Sequence, residues 1–209
     1  LKNIEETIQS FSEVISNKKI SNSEIQRIWK LDNEFKDTFN LSHYLKLKAC
    51  LDTCDYIENN LIIAEVFPHP SHLLNKGVSM AIDYDSKNSS EGLFLEFGVF
   101  SGNTVNQIAK LASNKKVYGF DSFAGLPEDW RTNFLKGTFK VNTIPKVETN
   151  VELKIGLFKD TLPEFITNTK SKMISFLHID CDLYSSTKDV LSNCRPLIKK
   201  GTISNFCSY

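Results

Sequence analysis

The sequence predicts an α/β fold, a doubly wound parallel sheet with helices ahead of it. Three observations carry this. From residue 92 onward short apolar runs alternate with amphipathic stretches, the rhythm of strand–helix units joined by right-handed crossovers. The apolar runs are close to continuous, as in strands covered on both faces. A glycine-bearing loop, residues 98–102, follows the first run and leads straight into a helical pattern. The expected strand order is 3-2-1-4-5, with Leu93–Phe97 in the centre.

The elements follow in chain order. Ile4, Ile8, Phe11 and Val14 or Ile15 give residues 2–17 a helical spacing. Ser21 with Glu24 makes a capping-box pattern ahead of Ile25, Ile28 and Trp29, which predicts a second helix. Leu45, Cys50, Leu51, Cys54 and Ile57 mark a third, ending near Asn59-Asn60, with Cys50 and Cys54 expected as buried thiols on its apolar face. Pro68-His69-Pro70 interrupts the chain. Ser71 can then cap a helix to about residue 83, with Leu73, Leu74, Val78 and Ile82 inward, before a polar loop at 85–90. Residues 1–84 thus read as a helical accessory region and 85–209 as the sheet domain. In the latter, strands are expected at 93–97, 116–120, 151–155, 173–179 and 202–206, and helices at 104–112, 161–169 and 185–198. A long loop with Gly125, Pro127, Gly137 and Pro145 separates the second strand from the third.

Composition narrows the function classes. Hydrophobic residues make up 41% of the 209, enough for an ordinary core. Lys plus Arg and Asp plus Glu are 25 each, so no electrostatic case for nucleic acid or an anionic membrane arises. The apolar runs are too short to span a bilayer. Five cysteines without metal-ligand spacing are expected to be reduced thiols, which points to the cytoplasm.

Ligands of such sheets bind beyond the carboxyl ends of the strands. The first strand ends in Glu96-Phe97-Gly98-Val99-Phe100-Ser101-Gly102-Asn103-Thr104. Gly98 permits a sharp turn and close approach of a ligand; Gly102 lets the next helix start tight against the strand. Phe100 stands where a dinucleotide loop carries its middle glycine, which disfavours a pyrophosphate. Asp121, ahead of Ser122, lies 25 residues after Glu96, where an acid can accept hydrogen bonds from vicinal ribose hydroxyls. A bland loop-capping role for Asp121 is the alternative. The fourth strand delivers Asp180, a candidate hard-cation ligand or base toward a hydroxyl. Asp182 is expected to cap the following helix, His178 to be a buried structural residue, and Cys181 to be no nucleophile.

Three stretches resemble the macrocin O-methyltransferase-like family of class I methyltransferases: Glu96–Gly102, Phe120-Asp121-Ser122-Phe123-Ala124-Gly125-Leu126-Pro127-Glu128-Asp129-Trp130 and His178-Ile179-Asp180-Cys181-Asp182-Leu183-Tyr184-Ser185-Ser186-Thr187. Residues 136–139 and 156–163 match as well, and the glycine loop is similar to that of catechol O-methyltransferases. The resemblance implies a Rossmann-like domain that binds S-adenosylmethionine and methylates a hydroxyl of a small molecule, often a sugar of a secondary metabolite. It places Glu96, Gly98, Val99, Phe100, Ser101, Gly102 and Thr104 around the methionine part of the cofactor, Asp121 on the ribose, and Phe158 and Lys159 by the adenine, with Ser122 also cofactor-binding. It makes Asp180 the catalytic residue and a ligand of a divalent metal such as Mg²⁺. The partner it implies is a small-molecule hydroxyl acceptor, with self-association into a homo-oligomer left open.

One departure stands out. Where the family carries a pair of acids at the end of the fifth strand, this chain has Cys207-Ser208 before Tyr209. Both are poor Mg²⁺ ligands. The sequence therefore also suggests truncated C-terminal strands and an exposed fifth strand. The competing readings are a cofactor-binding module without a working metal site and, more distantly, a nicotinamide-dependent oxidoreductase.

Overall fold

A computed structural model of the chain describes residues 41–61, 65, 67–169 and 171–207. The two helices expected before residue 31 lie outside the described residues. The chain divides into two compact units, Leu1–Glu65 and Val66–Tyr209.

In the first unit, α1 spans Leu41–Asn60. Its apolar side chains are distributed around the axis instead of along one stripe, so it has no single face to bury. Cys50 and Cys54 are accordingly exposed, which corrects the expectation of buried thiols.

The second unit opens with α2, Pro70–Asn88. Its cap is not Ser71: His69 adopts an extended backbone, its Nδ1 accepts the Ser71 amide, and Pro70 occupies the first turn, where a missing N–H costs nothing. The helix also runs past the expected end, stopping at Ser89 in a left-handed conformation. Leu74, Val78 and Ala81 are buried as expected of an inward face, whereas Leu73 points outward. The buried Asp85 fixes the helix to the sheet. Its carboxylate accepts from the hydroxyls of Ser90 and Ser175, and lies 3.1 Å from Lys115 Nζ.

The sheet holds β1 (Leu93–Phe97), β2 (Val117–Asp121), β3 (Val151–Ile155), β4 (Ile174–Ile179) and β5 (Ile203–Phe206). All its pairings are parallel, in the order β3-β2-β1-β4-β5. β1 is central, and both β1 and β4 are buried along their whole length, which accounts for their unbroken apolar sequence. Between strands lie α3 (Asn103–Leu111), α4 (Phe158–Thr169) and α5 (Tyr184–Cys194), the last followed by a 3₁₀ turn, Arg195–Leu197. Two apolar clusters cover the two faces of the sheet. One joins α2 and α3 through Leu74, Val78, Val105 and Ile108 to Phe94 and Phe176; the other joins α4 and α5 through Leu162, Phe165 and Val190 to Phe97, Phe120 and Leu177. This layered, doubly wound arrangement is the predicted one.

Candidate active site

The carboxyl ends of β1, β2 and β4 open onto a cleft of about 710 Å³, within the range of small-molecule sites. Gly98, Val99, Phe100, Ser101, Thr104, Asp121, Ser122, Phe158, Lys159 and Asp180 all line it. Gly102 does not; it is the buried N-cap of α3, with φ +82°. Nor does Glu96, whose side chain is fully buried on β1.

The loop after β1 owes its shape to its neighbours. A Cβ on Gly98 (φ +94°) would lie 1.9 Å from the Asp180 carbonyl oxygen, so the main chain after β4 itself demands a glycine here. Phe100 holds a left-handed backbone at φ +47°, a conformation costing a non-glycine residue about 1–3 kcal/mol. Two main-chain bonds offset it: Asp121 Oδ2 accepts from the amides of Val99 (2.9 Å) and Phe100 (2.8 Å). Asp121 Oδ1 accepts from the Phe123 amide at 2.7 Å. Its own bonds give Asp121 the bland, loop-capping role. Three of its roughly four acceptor positions are taken by the main chain, leaving about one for a ligand hydroxyl rather than two.

The long loop after β2 supplies a wall of the cleft that sequence reasoning missed. Phe100 meets Phe139 edge-on, Phe139 packs on Phe134, and Phe134 on Trp130, with centroids 5.3–5.7 Å apart. The Arg131 guanidinium lies 4.0 Å from the Trp130 ring and 4.7 Å from that of Phe134. A pair of main-chain bonds between Leu126 and residues 137–138 closes this loop on itself. Trp130 and Phe134, with Phe139 soon after, stand close together in the sequence, but nothing in their spacing says that their rings meet.

Asp180 and Asp182 follow β4. Burial raises the pKa of Asp180, with His178 opposing. Asp182 does not cap α5, as expected of it: the cap position is Leu183, with no side-chain bond, and Asp182 has a left-handed backbone at φ 57° and lines the cleft. Its carboxyl is also raised, by burial and by Asp180. Burial pushes the Cys181 thiol up to about 11, so it stays protonated at neutral pH. Behind Asp180, His178 is buried with Nδ1 3.5 Å from Glu96 Oε1. Burial pushes Glu96 up to about 7, partly opposed by His178.

The donors beside Asp180 do not suit Mg²⁺. His178, Asp180 and Cys207 bring one ligand atom each within 4.8 Å of one another, a nitrogen, an oxygen and a sulfur where Mg²⁺ requires an octahedron of oxygens. S-adenosylmethionine, a sulfonium cation with an ammonium group, fits better. The cleft is lined by five carboxylates (Asp121, Glu128, Asp180, Asp182, Asp189) against two cations, Arg131 and Lys159. That balance repels the pyrophosphate of a dinucleotide.

The central strand, its glycine loop and the acid ending β2 are arranged as expected of a class I S-adenosylmethionine-dependent methyltransferase. A family model described as "Methyltransferase domain" matches residues 95–206, more than half of the chain, and the protein belongs to that family. Among solved structures, the crystal structure of CalS11, calicheamicin methyltransferase, is similar with a TM-score of 0.52 and 22% identity, covering 90% of this chain and 78% of that one. An apo structure of CalS11, described as TDP-rhamnose 3'-O-methyltransferase, gives a TM-score of 0.46 and 21% identity, covering 90% and 80%. The first of these shows a shared fold. No curated protein matches the chain.

Proposed function

We propose that the protein transfers a methyl group from S-adenosylmethionine to a hydroxyl of a small molecule. The single observation that carries this reading is the convergence, in one acidic cleft, of the glycine loop, Asp121, Phe158 and Lys159 at the start of α4, and Asp180. The cofactor supplies an electrophilic methyl on sulfur. Asp121 accepts a ribose hydroxyl at its remaining acceptor position while holding the loop amides. Phe158 and Lys159 flank the adenine, and the loop 98–104 borders the methionine portion.

Asp180 accepts the proton that leaves the acceptor oxygen as the new O–CH₃ bond forms and the S–CH₃ bond breaks. Its raised pKa makes it a better base than an ordinary carboxylate. The aromatic wall from Trp130 to Phe139 borders the acceptor and excludes water, which suits a ring-bearing substrate such as a sugar of a glycosylated metabolite. No step is assigned to Mg²⁺.

The test is transfer of labelled methyl to a panel of glycosides and phenols, in chelator and without added metal. Asp180→Asn is expected to lower kcat by about 10²–10⁴-fold, the usual share of a general base. A second reading, a domain that binds the cofactor without catalysis, draws on Cys207 standing beside Asp180. It predicts saturable cofactor binding with no turnover on any acceptor.

A further inference from the structure

The chain between β2 and β3 carries a lobe that is tied more firmly to itself than to the rest of the domain. At its neck, Leu126 donates to the Thr138 carbonyl at 2.8 Å and accepts from the Gly137 amide at 2.9 Å. Beyond the neck, the amides of Trp130 and Phe134 donate to the carbonyls of Phe134 and Arg131, and the Lys136 amide donates to Asp129 Oδ1 at 2.7 Å. The Trp130 and Phe134 rings meet at 5.3 Å, with the Arg131 guanidinium over both. Residues 127–136 are thus braced as one body. Its ring contact with the chain outside, Phe134 on Phe139, lies beside the neck. Below the neck Phe123 is buried and Val141 packs on the core, so the base is fixed.

The far side of the lobe is held differently. Among the described residues one side-chain hydrogen bond joins it to α5: Ser185 Oγ donates to Glu128 Oε1 at 2.5 Å, with both residues exposed. Arg131 adds an attraction to Asp182. A cavity of about 280 Å³ separates Trp130 from Ile179, Cys181, Thr187 and Phe206, so apolar packing does not fasten the lobe to that wall. Across such a gap the dispersion contacts of a packed interface are forfeited. Few buried apolar contacts and one exposed bond mark a segment that opens at low free energy.

We propose that residues 127–136 are a flap that swings about the neck at Leu126 and Thr138 and is latched shut over the cleft by the Glu128–Ser185 hydrogen bond. The flap brings Pro127, Glu128, Trp130, Arg131 and Phe134 to the cleft wall. Shut, it screens the cleft from water; open, it lets ligand in and out, the usual work of a lid. The swing itself does not depend on the methyltransferase reading, whereas its effect on cofactor exchange rests on that reading. Neither latch residue has a part in the proposed methyl transfer. Loss of one net hydrogen bond should shift the opening equilibrium by about 2–10-fold.

The test uses the full chain carrying Trp29→Phe, which leaves Trp130, on the flap, as its one tryptophan. Acrylamide quenching of Trp130 then reports opening without any ligand. Ser185→Ala and Glu128→Ala are each expected to raise the quenching constant, and the double variant no further than either, as for the two ends of one bond. Glu128→Gln keeps an acceptor oxygen and should stay near the parent. Urea midpoints should hardly move, because both latch residues are exposed. In stopped flow the latch variants should take up and release S-adenosylhomocysteine faster by the same factor, with Kd nearly unchanged. Quenching that neither single variant alters, or effects that add in the double variant, would overturn the flap. So would a weaker Kd from faster release alone, the behaviour of a fixed binding wall. A parent chain that binds no S-adenosylhomocysteine would instead sink the proposed function, and quenching would still decide the flap.

Discussion

A methyl group on residue 98 would lie 1.9 Å from the Asp180 carbonyl oxygen, with the backbone at φ +94°. Gly98→Ala must therefore push β4 away or unwind the loop, and the conformation alone costs about 1–3 kcal/mol. Urea unfolding should show a stability lowered by at least that much, with a lower midpoint; an unchanged midpoint would mean that the loop yields freely. That Gly98 is needed was legible in the sequence. The reason was not, because the clash comes from a residue more than eighty positions away. Asp121 was legible in the same partial way. Its place at the end of β2 follows from strand spacing, but its three main-chain bonds depend on how the loop after β1 folds back over it. Glu96 and Cys207 show the reverse case. The sequence could not show that Glu96 and Cys207 meet at His178, which is buried as expected of it: the contact depends on register between β1, β4 and the end of β5.

Helix α2 shows what decides an element's ends. Its start depends on an imidazole acting as cap, a role more often filled by serine, which is why Ser71 was the expected cap. Its extension to Asn88 depends on Asp85, a residue whose type suggested a loop. Burial alone would raise the Asp85 pKa, but the hydroxyls of Ser175 and Ser90 and the Lys115 ammonium outweigh it and hold the carboxyl below its ordinary value of 3.8. A lowered native pKa means that the charged form is the stabilising one. The contribution is present above about pH 3.8 and is lost as pH falls through the lower native value. Asp85→Asn should then cost about 1.5–3 kcal/mol at pH 7, the scale of hydrogen bonds to a charged group. The gap between wild type and variant should narrow as pH falls below about 4 in denaturant titrations. A gap independent of pH would show that the side chain acts by shape alone. β1 and β4 needed no such help: buried on both faces, they announce themselves by apolar runs, and the strand order followed from alternation with helices.

At the scale of the molecule, the sheet places its chemistry at one edge, where a ligand that binds only the folded state must stabilise it. Cofactor at 100 times its Kd should add about 2.7 kcal/mol to unfolding, readable as a raised melting temperature with S-adenosylhomocysteine and no change with NADH. The acidic cleft is what separates the two ligands, and its charge balance could not be read from the sequence, whose net charge is zero. Neither could the aromatic wall, since the loop from 122 to 150 has no periodicity that fixes which rings meet. The most direct test of the central claim is calorimetric titration of S-adenosylhomocysteine into the chain and into its Asp121→Ala variant. Saturable one-to-one binding is predicted for the wild type, weakened in the variant by about 1.5–3 kcal/mol through the lost ribose bond and the slackened loop. No heat of binding to the folded wild-type chain, or NADH displacing the ligand from the cleft, would contradict the account.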